Sequence, residues 1–228
     1  MEAHGTTARQ APDPHPDTAA TPRPDPTARP TRRGLLRGGA GLGAAALGLT
    51  AAPAVAAAAT RGGTGTAATY PPTHWIPASP SNYTVSSRPT SYPIDFVVVH
   101  VTQETFQDAM RIFQNPARRV SSHYMIASAD GYIGQFVREK DIAWHAGNWN
   151  YNTRSIGIEH EGWVDRPEYF TDAMYKASAR LTAAICTRYR IPRTRTHIIG
   201  HVEVPGATHT DPGPHWDWPR YMSLVNSY

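Results

Sequence analysis

A single cysteine, Cys186, stands in the 228 residues. Because a disulfide needs two thiols, an internal disulfide framework is excluded, and stability has to come from a packed core or from bound metal. A basic run interleaved with aromatics is also missing. The net charge of +4 sits mostly at the front, where residues 1–37 carry six Arg against four acids and leave 16 basic and 14 acidic side chains for the rest. With so nearly neutral a body, no nucleic-acid partner is expected. No internal repeat is visible, and the length suits one ordinary domain with extensions rather than a multi-domain machine. No compact His-Glu-x-x-His pair occurs. Histidine itself is plentiful, however, and nine of the eleven lie from His74 onward.

Residues 11–30 are rich in Pro and poor in large apolar side chains, so burial cannot offset the entropy of ordering them, and disorder is expected. Thr31-Arg32-Arg33-Gly34-Leu35-Leu36-Arg37 then precedes an uncharged stretch of mostly Ala, Gly and Leu from Gly38 to Ala59. That layout resembles a twin-arginine export signal. The stretch is long enough to span a bilayer, but Gly and Ala supply little transfer energy, and Ala54-Val55-Ala56 offers a small-residue cleavage site. The expectation is therefore a disordered region and signal over 1–59, no stable membrane anchor after cleavage, and a secreted or wall-associated protein. Residues 60–90, dominated by Thr, Ser, Pro and Gly, read as a linker that drapes Trp75 and Ile76 onto a domain at 91–228.

The texture changes at Ile94. Ile94 to Val101 is a β-branched run apolar on both faces, which predicts a central strand. Phe106, Ala109, Met110 and Phe113 recur at helical spacing behind Thr105 as a possible cap. Ser122–Ala127 and Tyr132–Val137 flank Asp130-Gly131, the signature of a hairpin. Ser155 to Glu161 alternates, with Ile156 and Ile158 on one face and Glu159 and Glu161 on the other. Thr171 to Arg190 carries a stripe of Met174, Ala177, Leu181, Ala184 and Ile185 and ends before Pro192. A short strand at Thr196–Ile199 and a helix at Trp218–Val225 complete the pattern. Strands and helices mixed within one domain indicate an α/β fold, a sheet with helices on its faces.

His100 closes a run that should be buried, where an unpaired imidazole is costly unless a partner satisfies it. His201 ends another apolar run, and Asp211 follows within His209-Thr210-Asp211-Pro212-Gly213-Pro214. Two neutral imidazoles and a carboxylate form a three-ligand set that suits Zn²⁺ and leaves a fourth position for water. Spacing alone does not select these ligands, since His123, His145, His160 and His209 are also candidates.

Four motifs occur together in order: Val97-Val98-Val99-His100-Val101-Thr102, Ala143-Trp144-His145-Ala146-Gly147-Asn148, Ser155-Ile156-Gly157-Ile158-Glu159, and Ile199-Gly200-His201 with Asp211-Pro212-Gly213-Pro214. In this the chain resembles the type 2 N-acetylmuramoyl-L-alanine amidases, a family that shares its fold with phage amidases and peptidoglycan recognition proteins. The resemblance runs from about Ile94 to Tyr221. It implies a single domain with a central mixed sheet flanked by helices, and one Zn²⁺ held by His100, His201 and Asp211. It also implies hydrolysis of the amide joining the lactyl group of N-acetylmuramic acid to L-alanine in peptidoglycan or muropeptides. Zinc would acidify a bound water and polarise the scissile carbonyl, and Glu159 matches the family's acid-base residue.

Two departures stand out. His209 occupies a place where several relatives carry Lys, and this chain has only Lys140 and Lys176; an imidazole there can still donate a hydrogen bond to an oxyanion. Ser122 stands where some relatives carry a catalytic Tyr, which shifts the acid-base burden onto Glu159. Glu161 is expected to be its solvated neighbour. The resemblance places His145 in the cleft lining, and Trp144 and Asn148 flank it as candidate substrate contacts. Some members of the wider family bind muropeptides without cutting them, commonly after losing a zinc ligand; here all three ligand positions are filled. Oligomeric state is open.

Overall fold

In a computed structural model of the chain, residues 69–228 are described; the signal region expected at 1–59 and the first residues of the expected linker lie outside them. In chain order the elements are β1 (His74–Trp75), β2 (Tyr83–Thr84), β3 (Phe96–Val101), α1 (Phe106–Gln114), β4 (Tyr124–Ile126), β5 (Ile133–Gln135), β6 (Ile142–Ala143), α2 (Trp149–Arg154), β7 (Ser155–His160), α3 (Asp172–Tyr189), β8 (Ile198–Gly200) and α4 (Trp218–Ser227). Six strands make one mixed sheet in the order β1-β5-β4-β7-β3-β8, while β2 and β6 form a separate antiparallel pair. Within the large sheet β3 runs parallel to both β7 and β8, and β4 pairs antiparallel with β5. The β-branched run thus becomes an interior strand, with Val97 to Val101 all buried.

Alternation along β3 sets the layers. Val97, Val99 and Val101 join Ile156 and Ile158 of β7 on one face, where Met174, Leu181 and Ile185 of α3 and Tyr221 and Val225 of α4 cover them. The opposite face carries two smaller clusters. Phe106, Ala109 and Phe113 of α1 pack on Met125, Phe136 and Val137, and Val98 and Ile199 pack with Ala146 and Val204. Between those clusters His100 and Glu159 leave the sheet.

Local signals account for the helix ends. Thr105 and Thr171 cap α1 and α3 by accepting from the amides of Asp108 and Met174, which satisfies donors that a helix start otherwise leaves bare. Arg190 ends α3 in a left-handed conformation, φ 58°, and Pro192 follows.

The expected linker over 60–90 is corrected by the fold. From Tyr70 onward the segment belongs to the domain: β1 pairs with β5 and β2 with β6. The Asn82 amide donates to the carbonyls of Phe113 and Asn115 at 2.8 and 2.9 Å. The buried Arg88 guanidinium donates to carbonyls of Asn152, Thr153, Ser155, Glu139 and Asp141. Tyr70, Tyr124 and Tyr189 all donate their hydroxyls to the buried Glu139 carboxylate. The segment is held largely by polar groups satisfying backbone, which leaves no apolar period to read. Among the described residues no helix is long and apolar enough to cross a membrane.

Candidate metal and active site

His100 lies on β3 one residue before its end, and parallel pairing puts it in register with Glu159 of β7. His201 opens a short turn directly after β8, where Glu203 accepts from the Gly200 amide at 2.7 Å and from the Arg195 guanidinium. The chain then returns. The Val202 amide donates to the Asp211 carbonyl at 2.9 Å, and a side chain at Gly200 would come within 2.6 Å of Pro212. That close approach seats Asp211 between the two imidazoles.

Asp211 Oδ2 is 3.1 Å from His100 Nδ1, and Asp211 Oδ1 is 3.0 Å from His201 Nδ1. One potential ligand atom from each of the three buried residues lies within 4.8 Å of the others. Burial pushes the His100 imidazole below its usual value, so it stays neutral, with Asp211 offsetting part of the shift. Burial alone would raise the Asp211 carboxyl, but the imidazoles of His100 and His201 that face it outweigh that effect and hold the group below the usual carboxylate range. A neutral imidazole and an ionised carboxylate are the protonation states a metal requires. The donor set fits zinc, and among the described residues the group has three members, which leaves a fourth position for water.

Beside the group is a cavity of about 670 Å³, lined by His100, His145, Glu159, His201, His209 and Asp211 together with the apolar Ile112, Phe113 and Val120. Glu159 Oε2 is buried without a hydrogen-bond partner. Burial, with the charge of Asp211 second, raises its pKa well above the ordinary carboxyl value, so the group is suited to hold a proton near neutrality. His209 is exposed at the rim, its ring 5.2 Å from that of His201 and nearly parallel to it. Arg118 supplies the cationic side chain among the lining residues.

Of the substrate contacts expected at Trp144, His145 and Asn148, His145 alone lines the cavity. Both ring nitrogens of His145 face protein: Nδ1 is 2.9 Å from His100 Nε2, and Nε2 is 3.1 Å from Ser155 Oγ. Trp144 is not in the cavity wall; its indole N–H donates to Thr84 Oγ1 and the Arg119 guanidinium covers its ring at 4.8 Å. The Asn148 side chain caps α2 by accepting from the Tyr151 amide and donates to the Pro205 carbonyl. Those bonds engage the Trp144 indole N–H and both His145 ring nitrogens, while the Asn148 amide keeps a second N–H and a second lone pair.

Glu161 is also corrected. It is not a solvated neighbour: its carboxylate accepts from the amides of Phe106 and Ser128 at 3.0 and 2.8 Å, tying the start of α1 to the turn after β4. His123 and His160, open as ligands on spacing alone, are buried away from the cluster. His123 Nδ1 accepts from the Gly157 amide at 3.0 Å, and His160 Nδ1 donates to the His100 carbonyl at 2.8 Å. Asn152, which the sequence reading passed over, and Ser155, which it named only as the start of a strand motif, hold His145 in place. A buried Asn in a short polar helix was the available signal.

Residues 90–214, which include His100, Glu159, His201 and Asp211, match the family described as N-acetylmuramoyl-L-alanine amidase. The chain is 37% identical over 169 residues to N-acetylmuramoyl-L-alanine amidase A of Achromobacter lyticus, covering 67% of this chain and 92% of that protein. It is 41% identical over 114 residues to 1,6-anhydro-N-acetylmuramyl-L-alanine amidase AmpD of Haemophilus influenzae, covering 47% of this chain and 59% of that one. Among solved structures, a selenomethionine AmpD derivative superposes with a TM-score of 0.56 at 31% identity, over 70% of this chain and 97% of that chain. AmpDh3 from Pseudomonas aeruginosa, in complex with an anhydromuramic pentapeptide, superposes with a TM-score of 0.50 at 26% identity, over 57% of this chain and 59% of that chain.

Proposed function

Since the chain belongs to the N-acetylmuramoyl-L-alanine amidase family, we propose that it is an exported, zinc-dependent amidase that cleaves the bond between the lactyl group of N-acetylmuramic acid and L-alanine in peptidoglycan or muropeptides. The observation that carries this reading is the convergence of His100, His201 and Asp211 beside the unpartnered buried carboxyl of Glu159. A muropeptide substrate is supported by the anhydromuramic pentapeptide bound in the AmpDh3 relative. Export is supported by Arg32-Arg33 and the uncharged stretch behind them.

When bound by the three residues, zinc supplies a Lewis acid for the scissile carbonyl and acidifies the attacking water. The protein's own groups do the rest. In its ionised form the Glu159 carboxylate would take a proton from the attacking water and, as the neutral acid, return it to the departing alanine nitrogen, work for which a carboxyl with a raised pKa is suited. His209, exposed at the rim beside His201, donates a hydrogen bond to the oxygen that gains negative charge. The apolar wall of Ile112, Phe113 and Val120 excludes water from one side of the cleft.

Incubating the protein with muropeptides of known structure, with and without a chelator, and weighing the products tests the reading. Free stem peptide and peptide-free sugar, both lost on chelation and restored by Zn²⁺, are expected. Cleavage at another bond, or activity indifferent to the chelator, would contradict it.

A further inference from the structure

The Ser155 hydroxyl lies 2.5 Å from the Tyr151 carbonyl. A carbonyl has no proton to give, so Ser155 donates there, and its oxygen is left to accept from His145 Nε2 at 3.1 Å. His145 therefore carries its proton on Nε2. No carboxylate contacts this buried ring, so it is neutral, and its Nδ1 is a bare lone pair. The neighbour of that lone pair, 2.9 Å away, is His100 Nε2, which must be the donor. The proton of His100 is thus on Nε2, and its Nδ1 points, unprotonated, at Asp211 Oδ2.

We infer that His145 is a positioning residue which, locked by Ser155, selects the His100 tautomer that presents Nδ1 as a metal ligand. The geometry holds His145 from every side. The Asn152 side-chain oxygen accepts from the backbone amides of His145 and Ala146 at 3.0 and 2.8 Å. A side chain at position 157 would stand 2.6 Å from the His145 ring, so Gly157 makes room for it. The relay ends on a backbone carbonyl instead of a carboxylate, so it fixes proton position without adding charge behind the ligand. In the other tautomer His100 would donate Nδ1–H to Asp211, and both atoms would be withdrawn from a metal.

This inference rests on the zinc reading for its consequence but not for the tautomer itself, which is measurable without metal. In chelator-treated protein, ¹⁵N chemical shifts of the imidazoles should assign both His100 and His145 as Nε2–H. Zinc affinity, measured by competition with a chromophoric chelator, should fall about 10–100-fold in His145→Leu. In His145→Asn, whose amide oxygen can accept where Nδ1 did, most of that loss should be recovered. Ser155→Ala, which leaves His145 free to change tautomer, should lose affinity in the same direction by a smaller factor. A merely structural role predicts that the zinc affinities of His145→Leu and His145→Asn fall together, in proportion to the loss of metal-free thermal stability; that result would overturn the proposal. So would an Nδ1–H assignment for His100 in the unmutated protein, or an unchanged affinity in a folded His145→Leu. An Nε2–H assignment in protein that binds no zinc would support the tautomer and overturn the zinc reading instead.

Discussion

His100 and Glu159 are register partners on neighbouring parallel strands, so an imidazole of the His100–His201–Asp211 group and a carboxyl with an unpartnered oxygen rise from the sheet side by side. Strands lie about 4.8 Å apart, and backbone pairing fixes that spacing whatever the side chains do. The fold therefore tolerates substitution at Glu159, and the site does not. Glu159→Gln should bind zinc as the unmutated protein does but lose about 10²–10⁴-fold in kcat. Zinc stoichiometry and muropeptide turnover measured on the same preparation check this; turnover within a few-fold of normal would remove Glu159 from the proton transfer.

The same substitution has a stability signature whose sign follows from the raised pKa. Glu159 starts from an ordinary value of 4.5 and is raised well above it in the fold by burial and by Asp211. Between the two values the folded state keeps a proton that the unfolded state has released. The contribution to stability is thus fully present below about pH 4.5 and is lost as pH rises through the folded value. Gln cannot ionise. In metal-free protein Glu159→Gln should melt at the same temperature as the parent near pH 4 and above it at pH 8, by about 2–4 °C for each kcal/mol of relieved burial cost. A gap that shrinks with rising pH would refute the assignment.

His209 reaches the cavity from its rim, packed against His201 and exposed to solvent. A group that hydrogen-bonds to charge developing in the transition state changes kcat, whereas one that grips the ground state changes KM. His209→Ala should accordingly lower kcat by about 10–10³-fold with little change in KM. Steady-state kinetics on a defined muropeptide decide it, and a KM effect alone would make His209 a binding residue.

Arg88 gives the N-terminal segment its place. Its guanidinium satisfies five backbone carbonyls on the β5–β6 and α2–β7 segments. Arg88→Met leaves those acceptors buried and bare, each costing about 1–3 kcal/mol where no water replaces the donor. A loss of at least about 3 kcal/mol in urea unfolding is expected. A chain begun at residue 91 should be less stable still than one begun at residue 69, because it also loses β1, β2 and the Asn82 bonds. Equal urea midpoints for the two chains would restore the linker reading.

The parts of this molecule legible in sequence are those whose energetics are apolar and periodic. Val97–Val101, the Phe106–Phe113 stripe, the Asp130-Gly131 hairpin and the Met174–Ile185 stripe all fold as their patterns require, because alternation and helical spacing report burial directly. Residues 70–90 carry no such pattern, since Asn82 and Arg88 anchor them by serving carbonyls. The cluster is a different case. Which imidazoles converge depends on the β3–β7–β8 register and on the loop that brings back Asp211, so spacing left His123, His145 and His160 beside His100 and His201, and only the order of motifs selected among them. His145 shows why: a ligand and the residue behind it look alike until the direction of each hydrogen bond is traced.

Glu159 on β7 and Glu161, the residue just past the end of that strand, should answer the same substitution oppositely. Glu159 has an oxygen with no partner, so making it neutral relieves a cost. Glu161 has both oxygens engaged, one by the Phe106 amide that opens α1 and one by the Ser128 amide. Gln at 161 turns one acceptor into a donor and sets it against a backbone N–H, and it removes negative charge from the start of a helix, where charge of that sign is favourable. Glu161→Gln should therefore lower stability by about 1–3 kcal/mol while zinc affinity stays within about twofold, since it touches none of His100, His201 and Asp211. Thermal melts of the two variants beside one zinc titration separate the roles. Stabilisation by Glu161→Gln, or destabilisation of metal-free protein at pH 8 by Glu159→Gln, would show that the division of labour between the two residues is drawn wrongly.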